Sequence, residues 1–326
     1  MRTLNRETTA IFKIFAIVSV VIAHVGRAYW GMSEQISNCF GTGGVAVFLF
    51  LSGYGLYQSA KRHGITTAYW QKKVQKVFFP YWLATILYVV LCRIPVSSST
   101  LLQNLLTIDY NRSIDGTMWY LSLLMIFYLS FGVLFWAQIP TWGRISFLFL
   151  VATVVQNATI FGSCGWQFQQ NSYIFPLGVT AAWVLDLLYK CRKKAPRGVQ
   201  ILVCCVLGAG CIVMYGWGVA DQRTFSSINA WLVGGCLFYG LVLSNGLTMA
   251  PKGKKWIGVA GALTYPIYLV EGKVLDRIKA ISALQNAWAA TVTVILLILV
   301  TSIILYVLIQ WIDKREKEKQ PCPTLN

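Results

Sequence analysis

Charged residues are scarce in this chain. Asp, Glu, Lys and Arg make up 12% of its 326 residues, against 56% hydrophobic ones. An ordinary soluble domain carries about 25% charged residues. Half that allowance cannot cover a globule of this size, so a soluble enzyme is excluded. Acidic residues are the scarcer kind, 11 against 28 basic, and the net charge is +17. Histidine is nearly absent, with only His24 and His63, and none of the nine cysteines forms a CxxC pair. Those two shortages leave no plausible zinc set, and no metal is expected. Most cysteines lie inside apolar runs, where Cys packs as a small hydrophobe. Cys39 and Cys164 fall on the same side of the expected membrane, which leaves a disulfide between them open. No repeat at a half-chain period is visible, which counts against a two-fold transporter.

What the chain does have is long apolar runs. A bilayer-spanning helix takes about 20 residues, and ten segments qualify: 8–28, 41–58, 77–94, 118–138, 144–161, 173–189, 199–218, 228–246, 257–275 and 288–312. The expected fold is therefore an all-α integral membrane bundle of about ten transmembrane helices. It forms one domain over 1–326, with a short polar tail at 313–326. The first run follows Arg2 and Arg6 as a signal peptide would, but Lys13 and His24 interrupt it, and it reads as an uncleaved helix.

Basic residues cluster between the runs, at Lys61 and Arg62, at Lys190 to Arg197, at Lys252 to Lys255 and at Lys314 to Lys319. With both termini in the cytoplasm, the outer side holds seven basic residues: Arg27, Arg93, Arg112, Arg223, Lys273, Arg277 and Lys279. That leaves 21 of the 28 inside, the asymmetry that the positive-inside rule produces. Nucleic-acid binding needs a contiguous basic face and is not expected.

An ionisable side chain at mid-bilayer costs about 2.5–3.5 kcal/mol on insertion scales, so each one is a functional candidate. His24 lies about 24 Å into the first helix at 1.5 Å per residue, in its outer half. Lys13, eleven residues earlier, returns to within about 20° of the same face. Snorkelling of Lys13 and a plain interhelical bond from His24 are the bland alternatives. Glu271 falls at a depth similar to His24. It could orient the imidazole, as a triad carboxylate does, or pair with the nearby Lys273. Asp186 is expected to pair with the basic loop that follows it. Gly41-Thr42-Gly43-Gly44 lacks the strand that a phosphate loop needs. With Ser52, Gly53 and Gly55 it reads instead as a surface for close helix approach. Trp119 and Tyr120 suit an interfacial aromatic belt.

Taken in order, four blocks resemble the integral-membrane acyltransferase family 3, the ten-helix O-acyltransferases of bacterial surface polysaccharides. IFKIFAIVSVVIAHV, holding Lys13 and His24, is similar to the family's Arg-x10-His helix. GGVAVFLFLSGYGL, from Gly43, resembles its glycine–phenylalanine–SG segment, and KKVQKVFFP, from Lys72, its basic entrance to a proline-led span. MWYL, from Met118, and LTYPIYLV, from Leu263, resemble its later Tyr-Leu-Val helix. The chain departs from the pattern at three points. Lys13 stands for the usual Arg, Glu271 for the late His, and Ala10 for a common Asp.

The resemblance implies a bacterial plasma-membrane enzyme. It would move an acyl group, most often acetyl, from cytoplasmic acyl-CoA to a sugar hydroxyl of a surface polysaccharide or its lipid-linked precursor. On that reading His24 is the general base and Glu271 orients it. Lys72, Lys73 and Lys76 hold the CoA phosphates, and Lys13 steers the donor inward. Ser52, Tyr54 and Tyr120 are candidate oxyanion donors, and Trp119 belongs with the substrate. The rival reading is a proton-coupled transporter or flippase for a surface-polymer precursor, with His24 and Glu271 as the relay.

Overall fold

The computed structural model describes residues 4–137, 139–190, 209–210, 213, 229, 232–235, 251–279 and 286–319, and among them there is no strand. The long helices are α1 (Arg6–Tyr29), α2 (Glu34–His63), α6 (Trp119–Trp136), α7 (Thr141–Asn157), α9 (Ile174–Lys190), α10 (Pro251–Lys279) and α11 (Ala287–Lys319). Shorter ones are α3 (Thr67–Lys73), α4 (Phe79–Leu91), α5 (Ser98–Leu105) and α8 (Gly165–Asn171).

Five stretches are long and apolar enough to cross a membrane: Arg6–Tyr29, Glu34–His63, Thr67–Leu91, Trp119–Trp136 and Ala287–Arg315. Thr141–Asn157 and Thr159–Leu187 make a sixth if they count as one span, bent by 87°. The protein is thus a multi-pass, all-helical membrane protein. The expected spans at 199–218 and 228–246 lie almost wholly outside the described residues. The expected span at 257–275 sits inside the longer α10, whose charged ends and buried Glu271 and Lys273 keep it out of the apolar set. The fifth run stops short of its expected end. Residues Thr159–Cys164 turn in a 3₁₀ stretch around Gly162, whose φ of 47° only glycine adopts readily.

Local chemistry sets the helix ends. The Asn5 side chain accepts the Thr8 N–H at 2.7 Å and caps α1. Gly64, at φ 66°, closes α2. Between α3 and α4 the chain widens into a π-turn, Val74–Phe78, just before Pro80. Pro80 has no N–H to give to the preceding turn, and π-turns of this kind often sit at functional sites. In the same turn the Val77 carbonyl accepts from Tyr265 Oη, at 2.7 Å.

Helix α2 is the hub, packed on α1 and α9, while α1 also packs on α10 and α10 on α11. Glycines let these backbones touch. A Cβ on Gly44 would collide with the Ala16 carbonyl, one on Gly53 with the Phe175 carbonyl, and one on Gly178 with the Phe50 carbonyl. Small residues at helix interfaces do this where lipid supplies no hydrophobic drive. Gly55, expected to share that task, faces open space.

Two further expectations are corrected here. Cys39 and Cys164 are both buried free thiols, not a disulfide. Asp186 pairs with Lys61 at the end of α2, with Oδ2 at 2.7 Å from Nζ, because the tight α2–α9 packing brings the two together; the basic loop expected to pair with it lies outside the described residues.

Candidate functional site

The His24 and Glu271 side chains meet between α1 and α10. Nδ1 of His24 lies 2.9 Å from both Oε1 and Oε2 of Glu271. Glu271 is 1% exposed, while a third of the His24 side chain, 32%, stays open. A carboxylate on Nδ1 selects the tautomer that donates there, which leaves Nε2 with its lone pair free to accept a proton. His24 lines a cavity of about 180 Å³ whose walls also carry Arg27, Asn38, Thr42, Arg112, Trp119 and Gln167.

Glu271 does not pair with Lys273. Lys273 Nζ instead donates to Asp115 Oδ2 at 2.6 Å and to the Leu269 carbonyl at 2.9 Å, and both members of the ion pair are buried. Asp115 also accepts from the Thr117 amide and hydroxyl, at 2.8 and 2.7 Å. Burial works against the charge on Asp115, but the Lys273 ammonium and the Thr117 bonds outweigh it and hold the carboxyl below its usual range. The loop at 115–118 is thereby clamped onto α10. Gly272 permits the approach, since a Cβ there would meet Thr117 at 2.7 Å.

A second cavity, of about 200 Å³, is lined by Lys13, Ser52, Lys76, Tyr120, Tyr128, Thr264 and Tyr265. No carboxylate of the described residues lies within 4.0 Å of Lys13 Nζ. One residue, Tyr268, is common to the walls of both cavities. Its Oη donates to the Thr117 carbonyl at 2.5 Å. Its ring stands edge-on to Tyr120 with centroids 5.3 Å apart, and is stacked with Tyr265 at 6.5 Å.

The residues singled out from the sequence therefore divide into groups. His24 and Trp119 line one cavity, and Lys13, Ser52, Lys76 and Tyr120 line the other. Lys13 and His24 share a helix face, yet Tyr268 separates the spaces they look into. Lys72 is exposed, and Lys73 Nζ sits over the Tyr128 ring at 4.5 Å, so of the three basic residues only Lys76 reaches a cavity wall. Tyr54 lines neither cavity. Two residues on from Ser52 it falls about 200° round the helix, and its buried Oη accepts the Leu4 N–H at 3.1 Å.

Sequence reasoning missed Tyr268 and the Asp115–Lys273 clamp. A helical turn separates Tyr268 from Glu271, and that spacing was the available signal. Asp115 sits in a loop, where no periodicity points to it.

A protein-family model described as an acyltransferase domain matches residues 10–311. Neither the curated proteins nor the solved structures contain a match.

Proposed function

We propose, since the chain belongs to acyltransferase family 3, that it is a membrane O-acyltransferase working across the bilayer. It takes an acyl group, in the first instance acetyl, from cytoplasmic acyl-CoA to a sugar hydroxyl of an extracytoplasmic polysaccharide or its lipid-linked precursor. The observation that carries this reading is the buried carboxylate on Nδ1 of a half-open imidazole at a cavity wall.

In the reaction, the acceptor hydroxyl attacks the thioester carbonyl while His24 Nε2 removes its proton. Glu271 keeps the imidazole oriented and stabilises the imidazolium that forms. The tetrahedral intermediate then collapses, the C–S bond breaks, and the proton held by His24 passes to the departing thiolate. The products are the sugar ester and free CoA. The reaction is written without an acyl-enzyme: no Ser or Cys stands a helical turn from His24 on α1, and Ser37, on the same cavity wall, gives its hydroxyl to the Ala23 carbonyl at 3.1 Å.

The donor enters on the basic side. Lys13 and Lys76 attract its phosphates as point charges, and the hydroxyls of Ser52 and Tyr120 serve the thioester oxygen as it arrives. Lys13→Met is expected to raise the apparent KM for acyl-CoA about tenfold, the loss of one contact worth about 1.4 kcal/mol, with little change in kcat. An unchanged KM removes Lys13 from the donor path.

The function itself is tested with membranes holding wild-type or His24→Ala protein at matched levels. Labelled acetyl-CoA is supplied on the cytoplasmic side, and label is followed into surface polysaccharide or its lipid-linked precursor. Transfer that depends on His24 is expected. Two cavities meeting at one ring also suit a flippase, and that second reading takes over if polymer precursor moves while neither acetyl-CoA nor succinyl-CoA is consumed.

A further inference from the structure

The wall of the His24 cavity carries two arginines that the proton chemistry does not use. Arg27 follows His24 by three residues, one turn along the same face of α1. Arg112 comes from the loop before α6, with its backbone in the left-handed region at φ 57°, where few side chains other than Asn and Asp settle without cost. Its guanidinium is held in place. Nε donates to Ser163 Oγ at 3.2 Å, and Nη1 reaches the Gln167 amide oxygen at 2.9 Å once that amide is turned to suit its neighbours.

With both termini in the cytoplasm, as the charge asymmetry of the sequence implies, cations are rare on this side of the protein, which makes a pair of them on one cavity informative. Lys273 is consumed by Asp115, and Arg277 is engaged by the Tyr88 hydroxyl and ring. Among the described residues no carboxylate lies within 4.0 Å of Arg112, and Arg27 has only Glu34, at 3.7 Å with both side chains more than half exposed. Glu271 bonds His24, Asp115 pairs with Lys273, Asp109 accepts from the Ser113 amide and hydroxyl, and neither these three nor Asp276 lines the cavity. The described wall of the cavity thus carries two guanidinium groups and no carboxylate, beside Trp119.

We propose that the acceptor is an anionic saccharide, whose carboxylate or phosphate is held by Arg112 and Arg27 while a neighbouring hydroxyl meets His24. The claim deepens the acyltransferase reading and rests on it for the word acceptor, but the charge selection is a binding property and can be measured without turnover. Guanidinium suits either anion, since its fork pairs with carboxylate and phosphate alike.

The test uses the purified full-length protein without acyl donor, titrated by calorimetry with methyl glucuronide, glucose 1-phosphate and methyl glucoside. At least one anionic probe is expected to bind about tenfold more tightly than the neutral glucoside, with the advantage shrinking as salt rises. Which anion binds better assigns the source of the charge. Arg112→Asn keeps a residue that tolerates the left-handed backbone, and with Arg27→Gln it should erase the preference. Arg93→Asn is the control, because Arg93 also has positive φ, at 50°, and lines neither cavity; it should change nothing. Equal binding of charged and neutral sugars, no binding of any, or a preference that survives the double variant overturns the proposal. Acyl transfer to the native polymer is assayed separately, so charge selection can fail while the acyltransferase reading stands. Anion-selective binding without acyl transfer by any donor would have the opposite meaning.

Discussion

His24→Ala lowers acyl transfer by about 10²–10⁴-fold, the range a positioned general base contributes, while the protein still accumulates in the membrane. The expectation follows from the geometry at Nδ1. Both Glu271 oxygens lie 2.9 Å from it, and among the described residues no other hydrogen bond to the carboxylate is seen, so its effect runs through the ring. Glu271→Gln keeps the shape and one acceptor oxygen and loses the charge. It should therefore cost less than His24→Ala, and the double variant should be no slower than His24→Ala alone, the non-additivity of residues that act as a unit. Initial rates of label transfer at saturating donor decide the matter. A His24→Ala protein that keeps more than a tenth of the rate, or a double variant that multiplies the two losses, would sink the base assignment.

Lys273→Met is expected to be the most damaging substitution for stability. Breaking a buried pair by removing one member costs about 3–5 kcal/mol, since the other charge is left without compensation. Here that charge is Asp115, which also holds Thr117 in place. The double variant Asp115→Asn with Lys273→Met removes both charges and should recover much of the loss. The pH dependence has a definite sign. In the wild type the carboxyl lies below its ordinary range, so its contribution is full above that range and is lost only as pH falls through the lowered value. Without Lys273, burial, the largest influence, is opposed only by the Thr117 bonds and pushes the carboxyl up. The single variant should then gain thermal stability between pH 8 and pH 5 while the wild type does not. Melting followed by tryptophan fluorescence in detergent reads all three proteins. A single variant as stable as the wild type at pH 8 contradicts the clamp.

That His24 and Glu271 lie level enough to meet was legible in the sequence because apolar runs act as rulers. Counting at 1.5 Å and about 100° per residue places Lys13, His24 and Glu271 without any tertiary information. Partner choice was not legible. Glu271 had two candidates, His24 across the bundle and Lys273 on its own helix, and the choice was made by a loop aspartate that periodicity ignores. Asp186 shows the same limit, since the sequence pointed to the basic loop that follows it, and only the packing of α9 on α2 brings Lys61 to 2.7 Å. The glycines of α2 read correctly as a contact surface, yet only the packed helices distinguish Gly53, against a backbone carbonyl, from Gly55, against nothing. Tyr54 had the right chemistry beside Ser52 but stands on the wrong side of the helix.

Tyr268 has an electrical consequence. Where polar cavities approach each other from the two faces of a bilayer, the transmembrane voltage drops mainly across the thin apolar partition left between them. Moving one elementary charge across that voltage takes about 2.3 kcal/mol per 100 mV. Tyr268, tied by its hydroxyl to the Thr117 carbonyl, is the residue that the walls of the two described cavities share, and it would stand in such a partition if they open to opposite faces. A neutral acyl group passing such a barrier does no electrical work, whereas the phosphates of its carrier would. On the acyltransferase reading proposed above, such a partition would favour a division in which the anionic carrier stays in the cell and the uncharged group leaves, and the rate of transfer is then expected to be indifferent to the membrane potential.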